Sequence, residues 1–277
     1  MKVNVAGVLI DNLSKEAVIR EIYNFVRSDK NVYIVTPYSE LVVFALDDPD
    51  YKQVLNNAAI ALPDGIGILW AAKFLSLPTI KYKLLTYIQA LWQIIYTGAA
   101  IVLKPDYVRT IIKEQITGSK LIYDLAKSAT DNNYSVSLVG GQGNVATQAA
   151  SRLKKLFPNL NIKLVISGRL FDEKIVEEIA RSNSDILLIA YSPPKQEFWI
   201  AQNLQNLNCR VVIGLGGTFD YLAGKRLVPP KFMHLIGLEW LWRLITQPWR
   251  IIRIWNAVLV FIWKIYQYKR KHGSSRS

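Results

Sequence analysis

The sequence predicts an α/β fold: a mainly parallel, Rossmann-like sheet flanked by helices, followed by a basic, Trp-rich helical C-terminal appendage that binds membranes. Three observations carry this. Short apolar runs alternate with segments whose apolar residues recur at helical spacing. Turns rich in glycine and proline follow several of those runs, and cationic and tryptophan residues crowd into one end of the chain. With 277 residues, 51% of them hydrophobic and 20% charged, the chain can bury a core, which excludes a disordered tail or a collagen-like rod. The expected division is an α/β core over residues 1–230, with an apolar insertion at about 81–113, and a helical appendage over 231–277.

The elements follow in order. Residues 3–10 read as one strand, after which Ser14 caps a helix bearing Val18, Ile19, Ile22, Phe25 and Val26 on one face. The same step recurs as strand Val32–Val35 into a helix after Thr36-Pro37, and as strand 59–62 into a helix after Pro63-Asp64-Gly65. It resumes with strands over 135–139, 162–167, 185–190 and 210–215. Such runs between helices predict a parallel sheet covered on both faces, with ligands held beyond the carboxyl ends of the strands.

Two segments depart from this alternation. Residues 84–103 carry no formal charge and are bounded by Lys81, Lys83 and Lys104. Their length would allow a membrane span, but Thr86, Gln89, Gln93, Thr97 and Gly98 favour a surface-lying or re-entrant hairpin, or a buried helical pair. Residues 251–266 are apolar apart from Arg253, Asn256 and Lys264, and Lys269-Arg270-Lys271 follow, which reads as an interfacial helix with a cationic end.

Composition narrows the chemistry. Cys209 is the single cysteine and His234 and His272 are the two histidines, so disulfides, cysteine zinc sites and histidine relays have almost no material. Proton transfer falls to a carboxylate. The net charge is +13, and residues 231–277 hold nine Lys/Arg against Glu239, together with five of the eight tryptophans. Cations interleaved with tryptophan and aliphatic residues suit an anionic membrane surface better than nucleic acid. The N-terminal residues lack an apolar stretch of signal-peptide length and already carry Asp11, so secretion is not expected.

Several strand-end residues are candidates. Asp64 either serves as a general base or caps the helix beginning near Ile66. The turns from Gly140-Gly141 to Asn144 and from Gly214 to Asp220, with Gly217 between, let backbone amides approach a phosphate at a helix N-terminus. Neither fits the dinucleotide fingerprint or the P-loop spacing, which disfavours an oxidoreductase. Lys195 and Gln196 offer donors after the strand ending at residue 190, or lie in a solvated turn. Asp48-Pro49-Asp50 has Asp-x-Asp spacing but reads as a cap between two helices.

Taken in order, these runs acquire a family likeness. Asp11-Asn12-Leu13, Thr36-Pro37, Leu62-Pro63-Asp64-Gly65-Ile66-Gly67, Thr117-Gly118-Ser119, Gly140-Gly141, Pro194-Lys195-Gln196-Glu197, Gly216-Gly217-Thr218-Phe219-Asp220 and Gly237-Leu238-Glu239-Trp240-Leu241 are joined by Arg243, Arg250 and Arg253. The chain thereby resembles the WecG/TagA/CpsF bacterial glycosyltransferases, family 26, over roughly residues 1–254. The resemblance implies inverting transfer of N-acetylmannosamine, or a related sugar, from a UDP-sugar to a polyprenyl-diphosphate-linked sugar. It implies neither metal nor cofactor, and a peripheral place on the cytoplasmic face of the bacterial membrane. The proposed base falls on Asp64 with Thr36 beside it, a nucleotide contact on Gln196, and the appendage arginines on Arg243, Arg250 and Arg253. Where the family has Thr-Pro-Asn-Pro-Glu-His, this chain reads Thr36-Pro37-Tyr38-Ser39-Glu40-Leu41, and Gln115 and Lys120 replace an arginine and an acid that flank Thr-Gly-Ser. A coupled expectation is that membrane contact orders the tail, which then completes the active site. A non-catalytic nucleotide-sugar-binding module on the membrane is the alternative, and a homo-oligomer stays open.

Overall fold

A computed structural model describes residues 1–79, 83–168, 173–230, 233 and 237–272, without the side chains of 83–86, 173 and 250. Lys81, His234 and the side chain of Arg250 thus lie outside the described residues. The chain opens on a hairpin, not the single strand expected over 3–10: β1 (Lys2–Val5) pairs antiparallel with β2 (Val8–Asp11). Ala6 and Gly7 both take positive φ, 53° and 91°, and the Gly7 amide donates to Asn4 Oδ1 at 2.7 Å, which closes a two-residue turn within the apolar run.

Beyond the hairpin lie β3 (Val32–Val35), β4 (Ile60–Ala61), β5 (Ser135–Gly140), β6 (Asn161–Ile166), β7 (Ile186–Ala190) and β8 (Val211–Gly214). They form a parallel sheet in the order β4-β3-β8-β7-β5-β6. Around it run α1 (Lys15–Val26), α2 (Ser39–Asp47), α3 (Pro49–Asn56), α4 (Ile66–Ser76), α5 (Lys83–Leu103), α6 (Pro105–Val108) and α7 (Gly118–Asp131). The later helices are α8 (Val145–Leu156), α9 (Glu173–Ser182), α10 (Lys195–Asn203) and α11 (Thr218–Leu222). Ser14 Oγ accepts from the Ala17 amide, and Asp48 Oδ1 accepts from Asp50 and Tyr51, so both expected caps form.

The sheet separates two apolar layers because its side chains alternate. Tyr33, Val35, Leu187, Ile189 and Val212 face α2, α3, α4 and α10, while Ile34, Leu138, Leu188 and Ile213 face α1, α7 and α8. Burial on both faces is why these strands read as continuous apolar runs.

Helix α5 is one helix of 21 residues, which corrects the expected hairpin or helical pair. Gln93 and Thr97 turn inward and are satisfied there, so they do not break it. Thr97 Oγ1 accepts from Trp70 Nε1 at 2.8 Å and donates to the Gln93 carbonyl, and Gln93 Nε2 donates to the Pro78 carbonyl. No helix among the described residues is long and apolar enough to cross a membrane.

The tail continues as α12 (Glu239–Thr246), a 3-10 turn (Pro248–Arg250), α13 (Ile251–Trp255), a π-helical turn (Asn256–Val260) and α14 (Phe261–His272). Its last helix shares the main core. Phe261 and Ile265 are fully buried in the layer of α2 and α4, with Phe261 centred 6.1 Å from the Trp70 ring. Lys269 is buried too, its Nζ donating to the Phe74 carbonyl at 2.6 Å and Gln93 Oε1 at 2.7 Å. Nearer the site, Arg253 clasps Glu40 through Nε and Nη2, at 3.1 and 2.8 Å, and Nη2 also donates to Tyr38 Oη.

Two outcomes follow from this packing. Phe261→Ala should lower unfolding free energy by about 3–5 kcal/mol in denaturant melts, and a loss below about 1 kcal/mol would contradict the core role. Burial holds the Lys269 amine down to about 8, so between that value and the free-lysine range the unfolded chain binds more protons and stability climbs with pH. Lys269→Met should flatten that climb between about pH 7.5 and pH 9.5, read as the change in unfolding free energy.

Candidate active site

The carboxyl ends of β4, β3 and β8 bring Asp64, Thr36 and the Gly214–Gly217 turn to one edge of the sheet. The Asp64 turn is pinned from two sides: its amide donates to the Pro37 carbonyl at 3.0 Å, and the Ile116 amide donates to the Pro63 carbonyl at 3.0 Å. Helix α4 is capped by Gly65, at φ 106°, without a side-chain hydrogen bond. Asp64 therefore does not cap the helix that follows it. Gly118, whose backbone amide bears on the Asp64 carboxylate, is the first residue of α7. Burial pushes the Asp64 carboxyl up to about 6, against the Arg243 charge and the Gly118 amide, which favour its ionised form.

Around it, Thr36 is buried and its Oγ1 donates to the Gly214 carbonyl at 3.1 Å, tying the ends of β3 and β8. Thr117 occupies the N-cap of α7 with its Oγ1 accepting from Ser119 Oγ at 3.3 Å. Gly118 admits no larger residue. A Cβ there would lie 2.9 Å from Thr218 Oγ1 and 3.1 Å from the Leu215 side chain, so α7 starts directly against the β8 turn.

The two glycine turns follow β5 and β8, the strands on either side of β7. Gly140 has φ 131° and a Cβ would meet the Ala190 carbonyl at 2.4 Å, while the Gly141 amide donates to that carbonyl at 2.8 Å. Lys225 Nζ reaches Asn144 Oδ1 at 3.2 Å from beyond the second turn. Asp220 pairs with Arg226 at 2.6 Å, and Arg226 lies against Gly217, where a Cβ would be 2.4 Å from its Nη1. Lys225, Arg226, Thr246, Gln247, Trp249 and Arg253 line a cavity of about 490 Å³ between this turn and the tail.

Lys195 is exposed at the start of α10, after a cis Pro193-Pro194 bond. Gln196 is buried, with Oε1 accepting from the Tyr191 and Gly216 amides at 2.9 and 3.2 Å and Nε2 donating to Glu197 Oε1 at 2.7 Å. Its amide thus joins the turns after β7 and β8. Of Arg243, Arg250 and Arg253, two have described side chains: Arg243 favours the ionised form of Asp64, while Arg253 is engaged by Glu40 and Tyr38.

Sequence reading missed two buried carboxylates. Glu40 receives Arg253 from 213 positions away, and Glu197 receives Tyr51 Oη at 3.1 Å from 146 positions away. Burial pushes Glu197 up to about 7, opposed by its hydrogen bonds from Gln196 and Tyr51. Both glutamates sit in quoted motif runs, but nothing local points to their partners.

Comparison with known proteins agrees with this architecture. The sequence profile described as the Glycosyl transferase WecG/TagA/CpsF family matches residues 3–95 and 81–275. A Bacillus spizizenii protein named N-acetylglucosaminyldiphosphoundecaprenol N-acetyl-beta-D-mannosaminyltransferase is 28% identical over 229 residues, covering 82% of this chain and 76% of that protein. A Staphylococcus aureus protein of the same name is 25% identical over 273 residues, covering 98% of this chain and 94% of its own length. With matches over nearly the whole chain, this protein belongs to the WecG/TagA/CpsF family of glycosyl transferases.

Proposed function

We propose that the chain transfers N-acetylmannosamine, or a closely related sugar, from a UDP-sugar to a polyprenyl-diphosphate-linked N-acetylglucosamine, with inversion at the anomeric carbon. The observation that carries this reading is Asp64, a carboxyl held at a strand end with its affinity for protons raised into the working range of a general base. The names of the relatives supply the acceptor and the sugar.

In this mechanism the acceptor hydroxyl attacks the anomeric carbon as Asp64 takes its proton. The bond from that carbon to the diphosphate oxygen breaks, and UDP departs carrying the electron pair. Arg243 is the cation nearest in electrostatic effect to Asp64. Lys225 and Arg226 on the cavity wall, with the N-termini of α7 and α8, add positive potential for the diphosphate. Thr36 and Gln196 then serve by holding the turns that shape this edge. The protein works from the cytoplasmic face as a peripheral enzyme, gripping an anionic bilayer through Trp249, Ile252, Trp255 and Trp263, which are 56–76% exposed along the cationic tail.

Purified chain incubated with a panel of UDP-sugars and synthetic polyprenyl-diphosphate GlcNAc should yield a disaccharide-lipid detectable by mass spectrometry. Asp64→Asn should lower turnover by about 10²–10⁴-fold, and undiminished turnover would remove Asp64 as base. For the unmodified enzyme the rate should fall as pH drops through about 6, as the base becomes protonated. Arg243→Ala should move that acid limb to higher pH, because the guanidinium favours the ionised carboxylate. The folded chain binds more protons than the unfolded one between the free-aspartate range and about 6, so ionised Asp64 costs stability above that window. Asp64→Asn should accordingly melt higher than the unmodified chain at neutral pH, with the difference vanishing near pH 4.

A further inference from the structure

Helix α5 carries its polarity reversed. Ala90, Gln93, Thr97 and Ala100 are buried against the protein, whereas Ile88, Leu91, Trp92, Ile95, Val102 and Leu103 are exposed by 45–76%. A helix facing water on its outer side has the opposite arrangement, with polar residues out. A contiguous apolar stripe of this kind marks a docking surface.

We infer that the outward face of α5 is a second membrane-docking element, lying along the bilayer surface with Ile88, Leu91, Trp92 and Ile95 sunk among the acyl chains. This rests on the proposed membrane-bound function and extends it from the tail to a different part of the fold. Four observations select a lipid surface as the occupant. Residues 83–103 contain no Asp or Glu, so nothing on the helix repels an anionic headgroup. Trp92, Tyr87 and Tyr96 are all exposed, and tryptophan and tyrosine settle at the headgroup level. Cations stand at both ends: Lys104 is exposed at one, and at the other Arg270 stacks over the Tyr87 ring and donates to its hydroxyl at 2.5 Å. The helix also meets the tail at both ends, through that Arg270 contact and through Ile101, which abuts Gly237. Because its inner face is packed on α4 and Gln93 and Thr97 are bonded there, α5 cannot be surrounded by lipid and takes the in-plane orientation.

The test uses the full-length chain and vesicles of phosphatidylcholine mixed with phosphatidylglycerol. The variant Ile88→Gln/Trp92→Gln/Ile95→Gln should keep its melting temperature, since these side chains are exposed, and lose at least about tenfold in vesicle partition. Its transfer to a short-chain, water-soluble acceptor should be unchanged. Ile95→Cys bearing an environment-sensitive fluorophore should shift to the blue on vesicles and be quenched by spin-labelled acyl chains; Cys209 is buried and does not compete for the label. Unaltered partition of the triple variant, or no acyl-chain quenching at position 95, would overturn the inference. So would a dimer in solution that the triple variant dissociates while vesicle binding persists, because a second copy would then be the occupant. Trp255→Gln/Trp263→Gln tests the tail separately. If that variant alone loses binding, the α5 inference fails and the tail reading stands. If quenching at position 95 occurs in a chain that transfers no sugar, the catalytic reading fails and the α5 inference survives.

Discussion

One constraint organises the candidate site: Asp64 stands in a turn pinned to Pro37 and Ile116, with the Gly118 amide at the start of α7 favouring its charged form. Burial raises the carboxylate's affinity for protons, while the Arg243 charge and the Gly118 amide favour its ionised form. The start of α7 lies this close to the β8 turn because Gly118 has no side chain to strike Thr218 and Leu215. Three loops and the first turn of a helix therefore converge on a single acid. Each is anchored by backbone contacts, which leaves the carboxylate little freedom to drift.

The tail belongs to this arrangement as much as the sheet does. Arg243 bears on Asp64, and the helix that follows is held to the protein by the Arg253–Glu40 clasp and by Phe261 and Ile265 in the core. A two-nitrogen grip on a buried carboxylate is among the stronger side-chain interactions, and it fixes direction as well as distance. Arg243 and the exposed Trp249, Trp255 and Trp263 are thereby carried on one connection anchored in the core. Moving the tail relative to the sheet would mean breaking the clasp and emptying the Phe261 site.

Much of the fold was legible because it rests on local rules. Parallel strands buried on both faces leave unbroken apolar runs, Ser14 and Asp48 cap where short oxygen-bearing side chains precede a helix, and glycines stand where the backbone takes positive φ. The failures were also local in cause. An apolar run over residues 3–10 says nothing of whether Ala6 and Gly7 will turn it back on itself. Residues 84–103 looked broken by Gln93 and Thr97, because a sequence does not say that Trp70, Pro78 and Lys269 wait to receive them.

The sequence by itself determined the sheet, the family and the short list of strand-end residues, for these depend on spacing and on side-chain type. Only the tertiary structure decided that Asp64 stands against the start of α7, that Gln196 braces two turns, that Arg253 answers to Glu40, and that α5 shows its apolar side outward. Those outcomes hinge on contacts between residues far apart in the chain. Their energies come from burial and direction, which exist only once the layers have packed.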